Sequence, residues 1–534
     1  MVDYSRLRFL IVDDFTDFRA ALIGMLRQMG VNDIDAVGRG EEALALCRRN
    51  QYDVILHDYN LGSGKNGQQV LEELHHRRLL PPHCVFVMIS AESSQAMVLA
   101  ALECEPDSYL AKPFNQASLQ QRLDRLIAMK TTLRPLLEAH HEGDHARVLE
   151  ACRQVIAAHP RYRPQCQRYL VMALGGLGQH GEQERVLRDL IAERPVPWAM
   201  LALAELYRNS GRLDEARDTY EEGIRQFPRV PAMYDGLAAT ALAQGDPEQA
   251  QDYLQQGLRL SPNSLRRQET MGSLARRNRD HEQAARAYRQ AVELGRHSLF
   301  RNPENHLNLV SSLHAQSDDG TLSQRQLVEI RQTLTELDRT WRDDPALAVR
   351  SRLAQAQTLR RTGQEDEARR LTDQALEQLQ EMPGFFSAEA AMQVFTQLEE
   401  LGQSQRAQQV LATCAEMYGD DPQVMDALAR HTDDPDILAA GSEALEWNRQ
   451  GILQYQQKQY AAALELFRRA GAAQPRNISF ALNTAQSLLR LISREPSADL
   501  VRECRACLQR ASQMPADDHR RERYLKLCDR LEAQ

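Results

Sequence analysis

The chain has no apolar run approaching the roughly 20 residues that a helix needs to span a bilayer. Its N-terminus lacks the basic start, apolar core and small-residue cleavage site of a secretory leader. These absences set the expectation of a cytoplasmic protein with no membrane insertion. A basic excess is missing as well. The net charge of −9 and pI near 6.0 leave no global footprint for nucleic acid, and no nucleic-acid partner is expected. Cysteine is sparse and unpaired in number: nine residues, scattered without framework spacing, fit reduced thiols. Cys504-x-x-Cys507, with His519 and Cys528 downstream, has a zinc-like spacing. The surrounding LVRECRACLQRA is a helical pattern with no knuckle glycine, so ordinary buried thiols are expected there.

Several signatures of chemistry are also absent. There is no P-loop, nucleophile elbow, cyclic-dinucleotide synthase or hydrolase motif, and no helix-turn-helix with a basic recognition helix. The reading is therefore of a non-enzyme whose output is contact with another protein. At 534 residues the chain exceeds one hydrophobic core, so several domains or a repeat array are expected.

What is present begins with FLIVDDFTDF at residues 9–18, where four apolar residues end on Asp13 and Asp14. Such a run reads as a strand covered on both faces, as in parallel sheets. Further runs at YDVILHD (52–58), HCVFVMIS (83–90) and DSYLAKP (107–113), with a weaker one at 31–37, alternate with five amphipathic helical stretches. The expected fold is a doubly wound α/β domain with a five-stranded parallel sheet. An aspartate after a strand is often only a turn residue or helix cap. Here, however, Asp13, Asp14, Asp58, Ser90 and Lys112 all follow strand C-termini, where ligands bind in open sheets. Packed carboxylates repel one another unless a divalent cation neutralises them, and an oxygen-only set suits Mg²⁺. Asp58 is then the candidate nucleophile for a phosphoryl group, Lys112 a point charge and Ser90 a hydroxyl donor.

On these motifs residues 6 to about 130 resemble the receiver domain of bacterial two-component response regulators, a flavodoxin-like fold. The resemblance implies that Asp13 and Asp14 are the acidic pair and Asp58 the phosphoacceptor. It further implies a backbone carbonyl of Asn60 on the metal, Ser90 and Tyr109 as switch residues, Lys112 as the lysine beside them, and Pro113 preceded by a cis peptide that orients it. The phosphoryl donor would be a sensor histidine kinase or phosphotransfer protein. Signalling would draw Ser90 inward, let Tyr109 turn in and reshape the face around the fourth helix, fifth strand and fifth helix. Two departures stand out. The loop YNLGSGKNG has Gly62 where many receivers have proline and places Gly67 one position late, and Glu105-Pro106 replaces the usual Gly-Ala.

The fifth helix (Leu119 to Lys130) runs into TTLRPLLEA without a Gly/Ser-rich spacer. Pro135 suits the first turn of a new helix, so a semi-rigid joint is expected. Beyond it a glycine precedes a proline by seventeen residues at Gly143/Pro160, Gly178/Pro195, Gly211/Pro228 and Gly245/Pro262. A period near 34 marks helix-turn-helix solenoids. In the unit at 197–228, Leu203, Ala204 and Tyr207 face inward, Gly211 turns, Ala216, Tyr220 and Gly223 face back, and Pro228 stops the second helix. This pattern resembles the tetratricopeptide repeat, continues through Gly272, Tyr288, Gly363 and Gly402, and is strong again at Trp447, Gly451, Tyr455, Ala463 and Phe467. About eight or nine units are expected.

The expected organisation is a receiver at 1–130, repeats at 133–313, diverged repeats at 314–430 and C-terminal repeats at 436–534. AQSDDGTLSQRQ and ARHTDDPDIL interrupt the array as hinges or long loops. A concave face lined by first helices would carry Trp198, Leu201, Glu205, Arg208 and Asn209, then Asp235, then Arg266, Arg276 and Arg277. An arginine group there would suit an acidic protein partner, although a solvated charged face is the commoner origin of such a pattern. A homodimer is compatible with both parts. The resulting expectation is a response regulator in which phosphorylation of Asp58 gates protein binding by the solenoid. The alternative is a phosphate relay or sink with the repeats as a constitutive anchor, kept open by Asn60 and Glu92 beside the site.

Overall fold

The computed structural model of the chain describes residues 2–62, 64–91, 99, 103–316, 321–381, 387–432, 434–438, 442–514 and 518–532. Five parallel strands, β1 (Arg8–Val12), β2 (Asp33–Val37), β3 (Val54–Asp58), β4 (Val85–Ser90) and β5 (Ser108–Ala111), lie in the order β2-β1-β3-β4-β5. The period of two along a strand sends alternate residues to opposite faces. Leu10, Val12, Ile55, Phe86 and Met88 pack with Ala43 and Leu44 of α2 (Gly40–Arg49) and Val70, Leu71 and Leu74 of α3 (Gly67–His76). Phe9, Ile11, Val54, Leu56, Val85, Val87 and Ile89 pack on the other side with Leu22 and Leu26 of α1 (Thr16–Gln28) and with Leu119, Leu123 and Leu126. Both faces are covered, which is why the strands read as unbroken apolar runs. The expected fourth helix, SSQAMVLAALEC, falls almost wholly outside the described residues, as does Glu92.

One expectation fails at the joint. Pro135 does not open a new helix but sits inside a single helix, Gln116–Glu142, which ends on Gly143 at φ 74°. Proline removes a backbone donor and crowds the preceding turn, an interior cost of roughly 3 kcal/mol. Packing on both sides outweighs it. Leu119, Leu123 and Leu126 belong to the receiver core, Leu133, Leu136 and Leu137 to the core of the first repeat, and Met129 touches both. Pro135 itself is exposed, so the ring faces solvent.

The rest is helical hairpins, as the repeat pattern implies. Pro197–Asn209 pairs with Leu213–Gln226, Pro231–Gln244 with Pro247–Leu260, and Leu265–Arg277 with His281–Gly295. Gly143, Gly178, Gly211 and Gly245 all turn with positive φ, the conformation that glycine takes without penalty. Arg279 and Lys458 take that conformation in units lacking the glycine. Close approach is the second device: a Cβ on Gly236 would lie 2.2 Å from the Tyr220 ring, so the absent side chain is the socket for the tyrosine.

By contact the chain divides into two compact units, Met1–Ser312 and Leu313–Gln534, and the division falls inside the helix Glu304–Ala315, just ahead of the first interruption. The second unit holds further hairpins, among them Pro345–Arg361 with Glu365–Glu381 and Ser442–Gln456 with Tyr460–Ala473. Cys504 and Cys507 are buried in its apolar core beside Leu488, Leu508 and Leu527. No helix among the described residues is long and apolar enough to cross a membrane.

Candidate functional site

The C-terminal ends of β1, β3, β4 and β5 meet at one edge. The ladder continues one residue beyond the strands: Asp13 N–H donates to Val37 O at 3.1 Å, Tyr59 N–H to Ile89 O at 2.8 Å and Lys112 N–H to Ser90 O at 2.8 Å. These bonds fix the backbone at the positions that carry the chemistry. Carboxylate oxygens of Asp13, Asp14 and Asp58 lie within 4.8 Å of one another. Asp13 and Asp58 are buried and Asp14 is exposed, so the cluster opens to solvent on one side.

Lys112 Nζ donates to Asp13 Oδ2 at 2.6 Å and to Asp58 Oδ2 at 2.7 Å, and lies 4.1 Å from the centre of the Phe18 ring. The Lys112-Pro113 peptide is cis. Asp13 Oδ1 accepts from Phe15 N at 2.9 Å, and its backbone carbonyl accepts from Arg19. Asn60 is exposed; its backbone N–H donates to Asp58 Oδ1 at 3.3 Å and its side-chain oxygen accepts from Gly62 N at 3.2 Å. Ser90 is fully buried at the end of β4, while Tyr109 is half-buried against the core on the α2/α3 side.

Burial is the largest influence on Asp58 and raises its pKa above the ordinary carboxylate value; Lys112 opposes the rise and Asp13 adds to it. Burial alone would lower Lys112, but its bonds to Asp13 and Asp58 outweigh that and raise it. One ammonium thus sits among three carboxylates. The remaining negative charge and the all-oxygen donor set fit a hard divalent cation such as Mg²⁺.

Three residues escaped the sequence reading of this site. Phe18 supplies the ring beneath Lys112, signalled only by an aromatic in DFTDF. His57 is fully buried, its Nδ1–H donating to Asp58 O at 2.6 Å, with burial pushing its pKa down to about 4. Gly67 was noted for its position alone, whereas a Cβ there would lie 2.6 Å from Asp58 O and 2.7 Å from Met88 Sδ. The loop closes over the site only with glycine at that point. Glu105, in place of the usual glycine, adopts φ 53° and pairs with Arg168 of the first full repeat beyond the joint.

In the solenoid a cavity of about 740 Å³ gathers Glu205, Arg208, Asp235, Arg266 and Arg277 on its wall. Trp198, Asn209 and Arg276 are not part of that wall. Trp198 packs on the core around Ala199 and Met200, Asn209 is exposed, and Arg276 donates to Asn308. Asp235 is held by Arg267, which the sequence reading passed over.

Family comparison agrees with this division. Residues 9–124 match the response regulator receiver domain, and residues 197–240 and 231–264 match tetratricopeptide repeats. Chemotaxis protein CheY-3 of Vibrio cholerae is 29% identical over 123 residues, spanning 23% of this chain and 93% of that protein. A Francisella receiver domain, of response regulator 1452, is 26% identical over 23% of this chain and 98% of its own, with a TM-score of 0.21. TTC0263, a tetratricopeptide protein of Thermus thermophilus, is 18% identical over 35% of this chain and 98% of its own, with a TM-score of 0.28.

Proposed function

From a chain that joins a response regulator receiver domain to tetratricopeptide repeats, we propose a cytoplasmic response regulator in which phosphorylation of Asp58 gates protein binding by the solenoid. A receiver implies a place in a phosphorelay, and the repeats imply protein interaction. The observation that carries the finer reading is Lys112, whose ammonium lies within 2.7 Å of both Asp13 and Asp58 at the mouth of the acidic cluster.

An Asp58 carboxylate oxygen attacks the phosphorus of an incoming phosphoryl group. A bond to phosphorus forms, the bond to the donor breaks, and an acyl phosphate results. Lys112 stays beside the oxygens that gain charge, and the Ser90 hydroxyl donates to one of them. Asp13, Asp14, Asp58 and the carbonyl of Asn60 would hold Mg²⁺, which when bound neutralises the phosphoryl oxygens. Gly67 lets the start of α3 close against Asp58 O on one side.

Incubation with acetyl phosphate and Mg²⁺ tests the site. Wild type is expected to take up label, Asp58→Ala to take up none, and chelation to abolish uptake by the wild type; persistent labelling of Asp58→Ala refutes the assignment. Gating is tested by quantitative pulldown from a bacterial lysate with and without beryllium fluoride. Partners that change only in the wild type support the gate. Identical partners throughout move the reading to a relay with a passive anchor.

A further inference from the structure

Within the unit Met1–Ser312 the described residues of the receiver meet the solenoid through the pair of Glu105 and Arg168 near the joint and at two further polar points on the segment Ser261–Phe300. At the first, Arg267 is only 5% exposed and serves two carboxylates from different domains. Its Nε and Nη2 donate to Asp235 at 2.6 and 2.7 Å, its Nη1 to Ser261 O at 3.0 Å, and Nη2 also to Glu103 Oε1 at 2.9 Å. The other oxygen of Glu103 accepts from Ser261 Oγ at 3.1 Å. Glu103 lies just before β5, the strand that leads to Lys112.

At the second point the receiver caps a helix. The last carbonyls of His281–Gly295 have no partner within that helix, and a cation at that end is favoured by the helix dipole. Lys65 Nζ donates to His297 O at 2.6 Å and Gln69 Nε2 to Leu294 O at 3.2 Å, while His76 and Phe300 meet edge to face at 5.4 Å. Lys65 and Gln69 flank Gly67, which has no slack against Asp58 O. The loop over the phosphorylation site is therefore also the cap of the solenoid helix. Between receiver and repeats an open cleft of about 650 Å³ remains, bordered by His75, Cys104, Asp107, Lys130, His140 and Tyr169. Polar pins on either side of an unfilled cleft make a contact that parts at small cost.

We propose that Ser261–Phe300 is a docking surface for the receiver of the same chain, and that phosphorylation of Asp58 releases the receiver from it. This rests on the reading of Asp58 as phosphoacceptor. New phosphoryl oxygens draw the stretch Gly64–Asn66 toward Asp58, and Lys65 leaves the carbonyl of His297. The surface joins the end of the fourth helix, through Glu103, to the loop and α3, which lie outside the face that the resemblance assigns to output.

Hydrogen exchange of the full-length chain with Mg²⁺, with and without beryllium fluoride, tests the release. The expected result is exchange about tenfold faster across 294–300 with the mimic, together with a change across 58–66. The variant Lys65→Met/Glu103→Gln is expected to show the fast exchange without the mimic while the β3 amides keep their protection. A change at 58–66 with none at 294–300 overturns the docking switch and leaves the Asp58 reading standing, as does a variant with wild-type exchange at 294–300. No change in either segment defeats the Asp58 reading and the switch with it.

Discussion

Lys112 makes two short bonds to carboxylates and lies over an aromatic face, so it ties β5 to β1 and β3. Lys112→Ala is expected to keep labelling from acetyl phosphate while losing the partner change produced by beryllium fluoride; labelling and pulldown on one preparation check both. Gly67→Ala presses a methyl on a backbone carbonyl that cannot swing away. It should destabilise the receiver by roughly 1–3 kcal/mol and slow labelling, read by thermal unfolding and label uptake. The acidic residues were legible because an apolar strand that ends on charge breaks its own pattern. Gly67, Phe18 and His57 were not, because their parts depend on distances across elements that no spacing in the sequence encodes.

At the scale of the element, the helix Gln116–Glu142 carries an exposed proline in its interior. Pro135→Ala restores a donor for the Thr131 carbonyl and should raise stability by up to roughly 3 kcal/mol, seen as a higher denaturation midpoint. His314 makes a pH-dependent element of the second unit. Its Nε2 donates to Thr358 Oγ1 at 2.9 Å, since that hydroxyl gives its own proton to Ala354 O, and Arg361 adds positive charge nearby. Burial, then Arg361, lowers its pKa from 6.5 to about 4. Above pH 6.5 both folded and unfolded states are neutral there and stability is intact. As pH falls from 6.5 toward 4 the unfolded chain takes the proton and the folded chain does not, so up to roughly 3 kcal/mol is lost. His314→Leu should flatten that slope in unfolding measured against pH. Turn glycines made the hairpins legible in the sequence. The continuous joint was not, because the local rule for proline favours a break and only the two cores on either side reverse it.

For the whole molecule, two contact units predict unfolding in more than one transition. Mg²⁺ with beryllium fluoride should raise the transition of Met1–Ser312 and leave that of Leu313–Gln534 in place, which calorimetry would show. The order of receiver and repeats was readable from composition and period. The hold of Arg267 on Glu103 was not: the two residues are 164 positions apart, and in NSLRRQET the arginine reads as one more solvated charge.

The helix shared by the receiver core and the first repeat also bears on how the chain is made. A solenoid ordinarily needs a terminal cap to cover the apolar face of its first unit. Here Leu133, Leu136 and Leu137 meet that face from a helix already anchored in a folded domain. During synthesis the receiver emerges first, and its last helix presents a finished template on which each later hairpin stacks in turn.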